Sequence, residues 1–494
     1  MPFAIRLAML CAALALLGAA APLAPESLAH LLARMREQSG HVWNAHLAST
    51  SHVTQGGETV DLHSETDGLR FVSYQCSGAL CAGTYFDGEQ LWSININGTA
   101  LPQAEGSDPL LRAERTIASL AFLDPDFAAQ GGKVVDDGVT SISGVAYRTL
   151  LVTSGDAVPM QVYVDPHSAT IRYMRDVNGD LTLEYRDYAR ISGRYDLPMT
   201  VLRNGMVFER YDTREQLATA FDVPHGLKPV FTTRPAVVQT DANFTTPVFS
   251  CTLGGIATTC LLDSGNSGLS ISLQLAEQLN APTVGSFQVR GLGNYATAVV
   301  HAGPLQVGSM TLPAANYVVL HDIDRFGYQV VLGADLFGAT TVELDNAAHR
   351  VIFGAQSPQG GYTVPLAFDN FVPVLDVRLG TLPAQLALDT GDESSINLGY
   401  DFYQAHRSLF PPTGERAVSG VGGSSVELLG TIDQVQIGGY SIESAPIGAT
   451  QNLTGTALGH VGAGLLARFN VTIDYAAGEL RFIPLASPSP SPKP

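Results

Sequence analysis

Five residues occur twice in this chain in the same order of chemical types. Leu261-Leu262-Asp263-Ser264-Gly265 and Ala387-Leu388-Asp389-Thr390-Gly391 each read apolar, apolar, aspartate, hydroxyl, glycine. An apolar run that arrives at an aspartate is a buried strand ending in a turn. A carboxylate in that place is costly unless something hydrogen-bonds it or uses it. The hydroxyl and the glycine suit a tight turn whose backbone N–H groups converge on the carboxylate.

The likeness between the two copies runs well past these residues. Upstream, 248–262 and 374–388 both read strand, glycine turn, strand, with the turns at Gly255 and Gly380. Downstream, the glycine-rich stretch 291–295 answers 420–424, and Val331-Leu332-Gly333 answers His460-Val461-Gly462. The interval from Asp263 to Gly333 nearly equals that from Asp389 to Gly462, and Asp345 and Asp474 stand equally far beyond those glycines. Matching stations at nearly equal spacing predict a duplicated lobe and a pseudo-two-fold axis between the copies.

The rest of the chain sets limits on this reading. Its 494 residues allow two to four domains. A formal net charge of −19 excludes nucleic acid and anionic membrane as main partners, since both require a basic surface. Fifty glycines and 28 prolines favour a turn-rich β protein. Residues 1–21 read as a secretory signal: Arg6, an apolar run over 7–17, then Ala19-Ala20-Ala21. No other stretch is long enough to span a bilayer. Beyond the signal four cysteines remain, in two close pairs. An even count in an exported chain implies disulfides, Cys76–Cys81 and Cys251–Cys260, the second across the hairpin that leads into Asp263. Neither pair has histidines at zinc-ligand spacing, so no metal is expected.

In order, residues 22–213 read as a β-rich accessory domain, a meander of about nine strands with two helices. Residues 214–235 are a proline-spaced linker, 236–360 and 361–485 the two lobes, and 486–494 a disordered Pro/Ser tail. The expected fold class is mainly β. The accessory domain, with Tyr85-Phe86-Asp87-Gly88-Glu89-Gln90-Leu91-Trp92 at its middle, resembles the lipoprotein-carrier fold of LolA-like periplasmic proteins. The glycine patterns at 291–296 and 462–467 do not open strand–helix units, so no dinucleotide or other cofactor is expected.

At the repeat the chain resembles the two-lobed aspartic peptidases of bacterial exported proteins, whose lobes are short and retropepsin-like. That resemblance implies an aspartic endopeptidase acting on peptide or protein substrate in the periplasm or outside the cell. Asp263 and Asp389 would be the catalytic dyad. Ser264 and Thr390 would brace the loops beside Gly265 and Gly391. Gly291, Gly293 and Tyr295, with Gly420, Gly422 and Gly423, would form flaps over the substrate. The third position after each aspartate departs from the family's small or hydroxylic residue: it is Asn266 in one copy and Asp392 in the other. If the Asn266 amide donates to Asp263 and Asp392 crowds Asp389 with negative charge, Asp263 is the ionised base and Asp389 the protonated acid. The alternative is an Asp392 that points to solvent. A second functional class also fits: a peptide- or lipoprotein-binding protein that keeps the lobes as a non-catalytic scaffold.

Overall fold

The computed structural model describes residues 26–55, 58–103, 109–179, 181–356, 358–451 and 458–485. The expected signal segment and the Pro/Ser tail lie outside the described residues. The fold is mainly β, with several sheets and a few short helices. No helix among the described residues is long and apolar enough to cross a membrane.

The chain separates into two compact units. One holds the described residues up to Ala45 together with Pro109–Tyr211. Ser27 caps its first helix, Leu28–Ser39, by accepting from the His30 N–H, and a left-handed Gly40 ends it. The second helix is Pro109–Ala118. Six antiparallel strands follow as a plain meander from Gly132–Ile142 to Tyr195–Arg203. Leu31 and Met35 of the first helix and Ile117 of the second pack with Leu150, Val162 and Met174 of the strands.

The other unit holds His46–Asp108 and the chain from Asp212 onward. Residues 46–108, which the sequence assigns to one continuous accessory domain, therefore group with the duplicated lobes. They form a six-strand meander from His46–Gln55 to Ala100–Pro102. Between His46 and Gln216 the described chain has thirteen strands, more than the nine or so read from the sequence, because several runs break at turns. Cys76 and Cys81 are bonded across one of those turns. The expected linker is an ordered strap. Leu217 donates to the His46 carbonyl, Gly226 to that of Gly98 and Thr232 to that of Ser309, and Val230–Phe231 pairs with Met310–Leu312.

Each lobe is built on the same strand order. In the first, the neighbours are Val248–Leu253, Ile256–Leu262, Val330–Leu332, Leu269–Ser272, Ala315–Leu320, Asn294–Ala302 and Thr283–Arg290. In the second they are Val372–Leu379, Leu382–Asp389, Gly459–Gly462, Ile396–Gly399, Tyr440–Thr450, Gly423–Ile437 and Pro412–Gly420. A six-strand sheet joins the lobes, with three strands from each side of the duplication. At its centre Val342–Asp345 runs antiparallel to Phe469–Asp474, and Glu343 lies opposite Thr472. Thr472 follows Glu343 at the same offset that separates Gly333 from Gly462 and Asp345 from Asp474. A residue paired with its own counterpart marks the pseudo-two-fold axis.

Candidate active site

The first loop leaves the strand Ile256–Leu262 and the second ends the strand Leu382–Asp389. Both strands are buried at their last apolar residues; Leu262 and Leu388 are fully enclosed. Beyond each aspartate the chain turns and passes close to the late glycine of its own lobe. A side-chain carbon on Gly333 would lie 2.0 Å from the Asn266 carbonyl oxygen, and one on Gly462 would lie 2.3 Å from that of Ser394. The peptide after each glycine closes the loop: Ala334 donates to Asn266 at 2.9 Å and Ala463 to Asp392 at 2.7 Å. The glycines at those stations let two backbones meet, and their spacing from the aspartates follows from that contact.

Across the axis the loops grip each other reciprocally. Ser264 N–H donates to Thr390 Oγ1 (3.0 Å) and Thr390 N–H to Ser264 Oγ (3.1 Å). The hydroxyls in turn donate onward, Ser264 to the Leu388 carbonyl (2.6 Å) and Thr390 to that of Leu262 (2.8 Å). Both side chains are fully buried. Four hydrogen bonds with every donor paired hold the two loops at one separation.

That separation brings the carboxylates together. A carbon added to Gly265 would lie 2.6 Å from Asp389 Cγ, and one added to Gly391 would lie 2.5 Å from Asp263 Cγ. Each glycine thus leaves room for the aspartate of the other lobe. Gly265 N–H donates to Asp263 Oδ1 (2.8 Å), and Gly391 and Asp392 N–H donate to Asp389 Oδ1 (3.0 and 3.1 Å).

The two acids differ in their surroundings. Burial pushes the Asp263 carboxyl well above the usual range, and the charge of Asp389 and a hydrogen bond to it push the same way. Burial also raises Asp389, but His460 works against it, while Asp392 adds to it. His460 Nδ1 lies 3.3 Å from Asp389 Oδ2 and 3.7 Å from Asp392 Oδ2. For His460, burial favours the neutral ring, yet Asp392 and Asp389 outweigh it and raise the imidazole above its ordinary value. His460 likewise holds Asp392 below the ordinary carboxylate value against the effect of burial.

The acid–base assignment read from the sequence loses one of its two supports, the Asn266 contact, while the charge of Asp392 still raises Asp389. The Asn266 amide turns away from Asp263, donating to the Gly268 carbonyl and to Ser270 Oγ, each at 3.2 Å. Asp392 does not point to open solvent, and its charge is answered by His460.

The glycine-rich stretches are hairpin tips, and they touch. A carbon on Gly291 would meet the Val421 carbonyl oxygen at 2.5 Å, and one on Gly293 would meet that of Gly422 at 2.1 Å. Leu292 lies against Gly420 and Gly423. Arg325 donates to the Gly420 carbonyl at 3.3 Å. Tyr295 packs at a tilt against His321, with ring centroids 5.1 Å apart, and lies against the side of the first lobe. Val421 and Tyr328 pack against the same apolar cluster. Burial raises the Tyr328 phenol, and the charges of Asp263, Asp389 and Glu393 raise it further. Tyr475, buried between Phe337 and Phe368, is raised by burial and by both aspartates.

His460, Tyr328 and Tyr475 were not singled out from the sequence. For His460 a signal existed: it stands at a station where the first copy has Val331, an imidazole in an otherwise apolar run. The tyrosines carry no comparable mark. Cys251 and Cys260 are bonded, as expected from the hairpin. Asp389, Asp392 and His460 form the one tight cluster of carboxylate, histidine or cysteine groups among the described residues, within 4.8 Å of one another. No metal is assigned to it. No protein-family model matches the chain, and no curated protein matches it.

Proposed function

We propose that the chain is an aspartic endopeptidase of the two-lobed, retropepsin-like kind. Asp263 and Asp389 would share one proton and activate a water against a peptide bond. The observation that carries this reading is the reciprocal fit of each carboxyl against the other lobe's glycine. Two carboxyls held this close cannot both ionise readily, so the pair keeps one proton over a wide pH range. The ionised member takes a proton from water as the oxygen attacks the scissile carbonyl. The protonated member donates to the carbonyl oxygen. When the tetrahedral intermediate collapses, the proton taken from water passes to the amide nitrogen, the C–N bond breaks, and a hydroxyl of the intermediate returns its proton to the carboxylate that had donated one. The dyad ends with the one proton it began with. This scheme is general to paired-carboxylate hydrolases and needs no cofactor.

The substrate would be a peptide or protein strand lying between the hairpin tips and the dyad. Two disulfides in the described chain suit an oxidising compartment, the periplasm or the cell exterior. The test is hydrolysis of a diverse peptide library by purified protein from acid to neutral pH, alongside Asp263→Asn and Asp389→Asn. Cleavage that either substitution reduces by at least about 10³-fold supports the reading. Cleavage that survives both substitutions, or none from a folded wild type at any pH, rejects it.

A further inference from the structure

We infer that His460 is a positioning residue that makes the dyad unequal, holding the negative charge on Asp389 and leaving the shared proton on Asp263. The inference rests on the dyad reading above and adds to it which carboxyl activates the water.

The geometry begins in the strands. His460 sits in Gly459–Gly462, parallel to Leu382–Asp389 and opposite Ala387. At the matching station of the first lobe, Val331 lies opposite Leu261. Where one lobe packs two branched aliphatic side chains, the other sets an imidazole beside a methyl group. The small partner leaves room for the ring, and Nδ1 reaches Asp389 Oδ2 at 3.3 Å. The first lobe has no cation at the corresponding place beside Asp263, because Val331 occupies it.

The groups acting on the ring come from each element around it. Leu382–Asp389 contributes Asp389, and the loop after it contributes Asp392. The other flanking strand, Ile396–Gly399, places neutral Asn397 opposite His460. Asp263 acts through Asp389, to which it is hydrogen-bonded. Tyr328 and Tyr475 are raised phenols and stay uncharged at physiological pH. One imidazolium therefore faces two carboxylates, and Asp392 keeps the ring charged while Asp389 shares its field. A fifth of the histidine side chain stays accessible, enough for proton exchange with solvent. An opposite charge at this range lowers a carboxyl by about one to three pH units. Asp263 receives no such help.

The test is the titration of His460 followed by NMR of full-length protein labelled in its histidines, with the signal assigned from its loss in His460→Asn. With the charge on Asp389, Asp389→Asn lowers the His460 midpoint by about one pH unit or more, and Asp263→Asn leaves it in place. With the charge on Asp263, the pattern is the opposite: Asp389→Asn changes little, and Asp263→Asn raises the midpoint by ionising its partner. That second pattern, or no response to either substitution, overturns the inference. None of these outcomes requires peptide hydrolysis, so they stand apart from failure of the peptidase reading. A second measurement covers a variant that does not fold. In His460→Asn the acid limb of the kcat/KM profile moves up by about one pH unit, because the dyad loses a neighbouring cation and gives up its first proton later. An acid limb that does not move overturns the inference as well.

Discussion

Leu261 faces Val331 in the first lobe, and Ala387 faces His460 in the second. The two lobes otherwise share strand order and the reciprocal grip between Ser264 and Thr390. The same division recurs at the next station. Asp335 of the first lobe corresponds to Gly464 of the second, each two positions beyond its late glycine. Asp335 is fully buried and held by Asn95 Nδ2 (2.7 Å), Asn97 Nδ2 (2.7 Å) and Thr99 Oγ1 (2.6 Å), all from the meander that precedes the lobes. Backbone symmetry brings the carboxyls to one place. Differences in side chains then set the lobes apart. The first anchors the meander, and the second carries the charges around Asp389.

The comparison can be broken where the lobes are most alike. Gly265→Ala and Gly391→Ala each force a methyl against the opposite carboxyl. Both should cost at least about 10²-fold in kcat/KM, the scale expected of a small misplacement of reacting groups. Peptide hydrolysis by the two variants should fall by similar factors; a large inequality would mean that only one carboxyl occupies the position the symmetry implies.

Ser264→Ala and Thr390→Ala each remove two buried hydrogen bonds and leave a buried N–H unpaired. Each should destabilise by about 2–4 kcal/mol in urea unfolding. The double variant should cost less than the sum, since both substitutions dismantle one network.

Asp335→Asn sharpens the difference between the lobes. It removes the charge that accepts from three donors, two of them buried, at a cost of about 1–3 kcal/mol. The loss should show as earlier exchange of the Asn95 and Thr99 amides, with the second lobe unaffected.

The pH dependence of stability separates the two aspartates. The folded-state value of Asp263 is raised well above the unfolded one, so the native protein holds a proton that the unfolded chain releases. Stability is therefore lost as pH rises from the ordinary carboxylate range through the raised value. Asp263→Asn should be more stable than wild type at neutral pH, with the gain disappearing under acid conditions. Asp389→Asn should gain less, since His460 offsets part of the rise at Asp389 and is left with a weaker partner. Chemical denaturation of both variants across pH measures the two gains.

The smallest effect belongs to the disulfide. Cys251 and Cys260 correspond to Val377 and Leu386, which the second lobe packs as buried apolar residues in the same hairpin register. A Cys251→Val, Cys260→Leu variant should lose no more than about 2 kcal/mol, because the bond closes only a short loop and the replacements restore packing. Thermal unfolding of the oxidised wild type and the variant tests this.

The sequence by itself determined the features that depend on local pattern. Apolar runs ending in Asp-Ser-Gly and Asp-Thr-Gly specify a strand and a turn. Gly333 and Gly462 keep their distance from the aspartates because a side chain there would strike the loop. Alternating residues and glycine turns marked the hairpins, the Cys251–Cys260 bond among them. Charge contacts and long-range docking were decided only in the tertiary structure. The Asn266 amide found acceptors within its own turn, at Gly268 and Ser270, and so never reached the carboxylate. His460 meets Asp389 from a strand that lies beyond the whole glycine-tipped hairpin of its lobe. Asn95, Asn97 and Thr99 reach Asp335 from a meander far earlier in the chain. Pairings of that kind depend on which strands become neighbours and in what register. Periodicity records whether a side chain faces the core, but it does not record which partner it will find there.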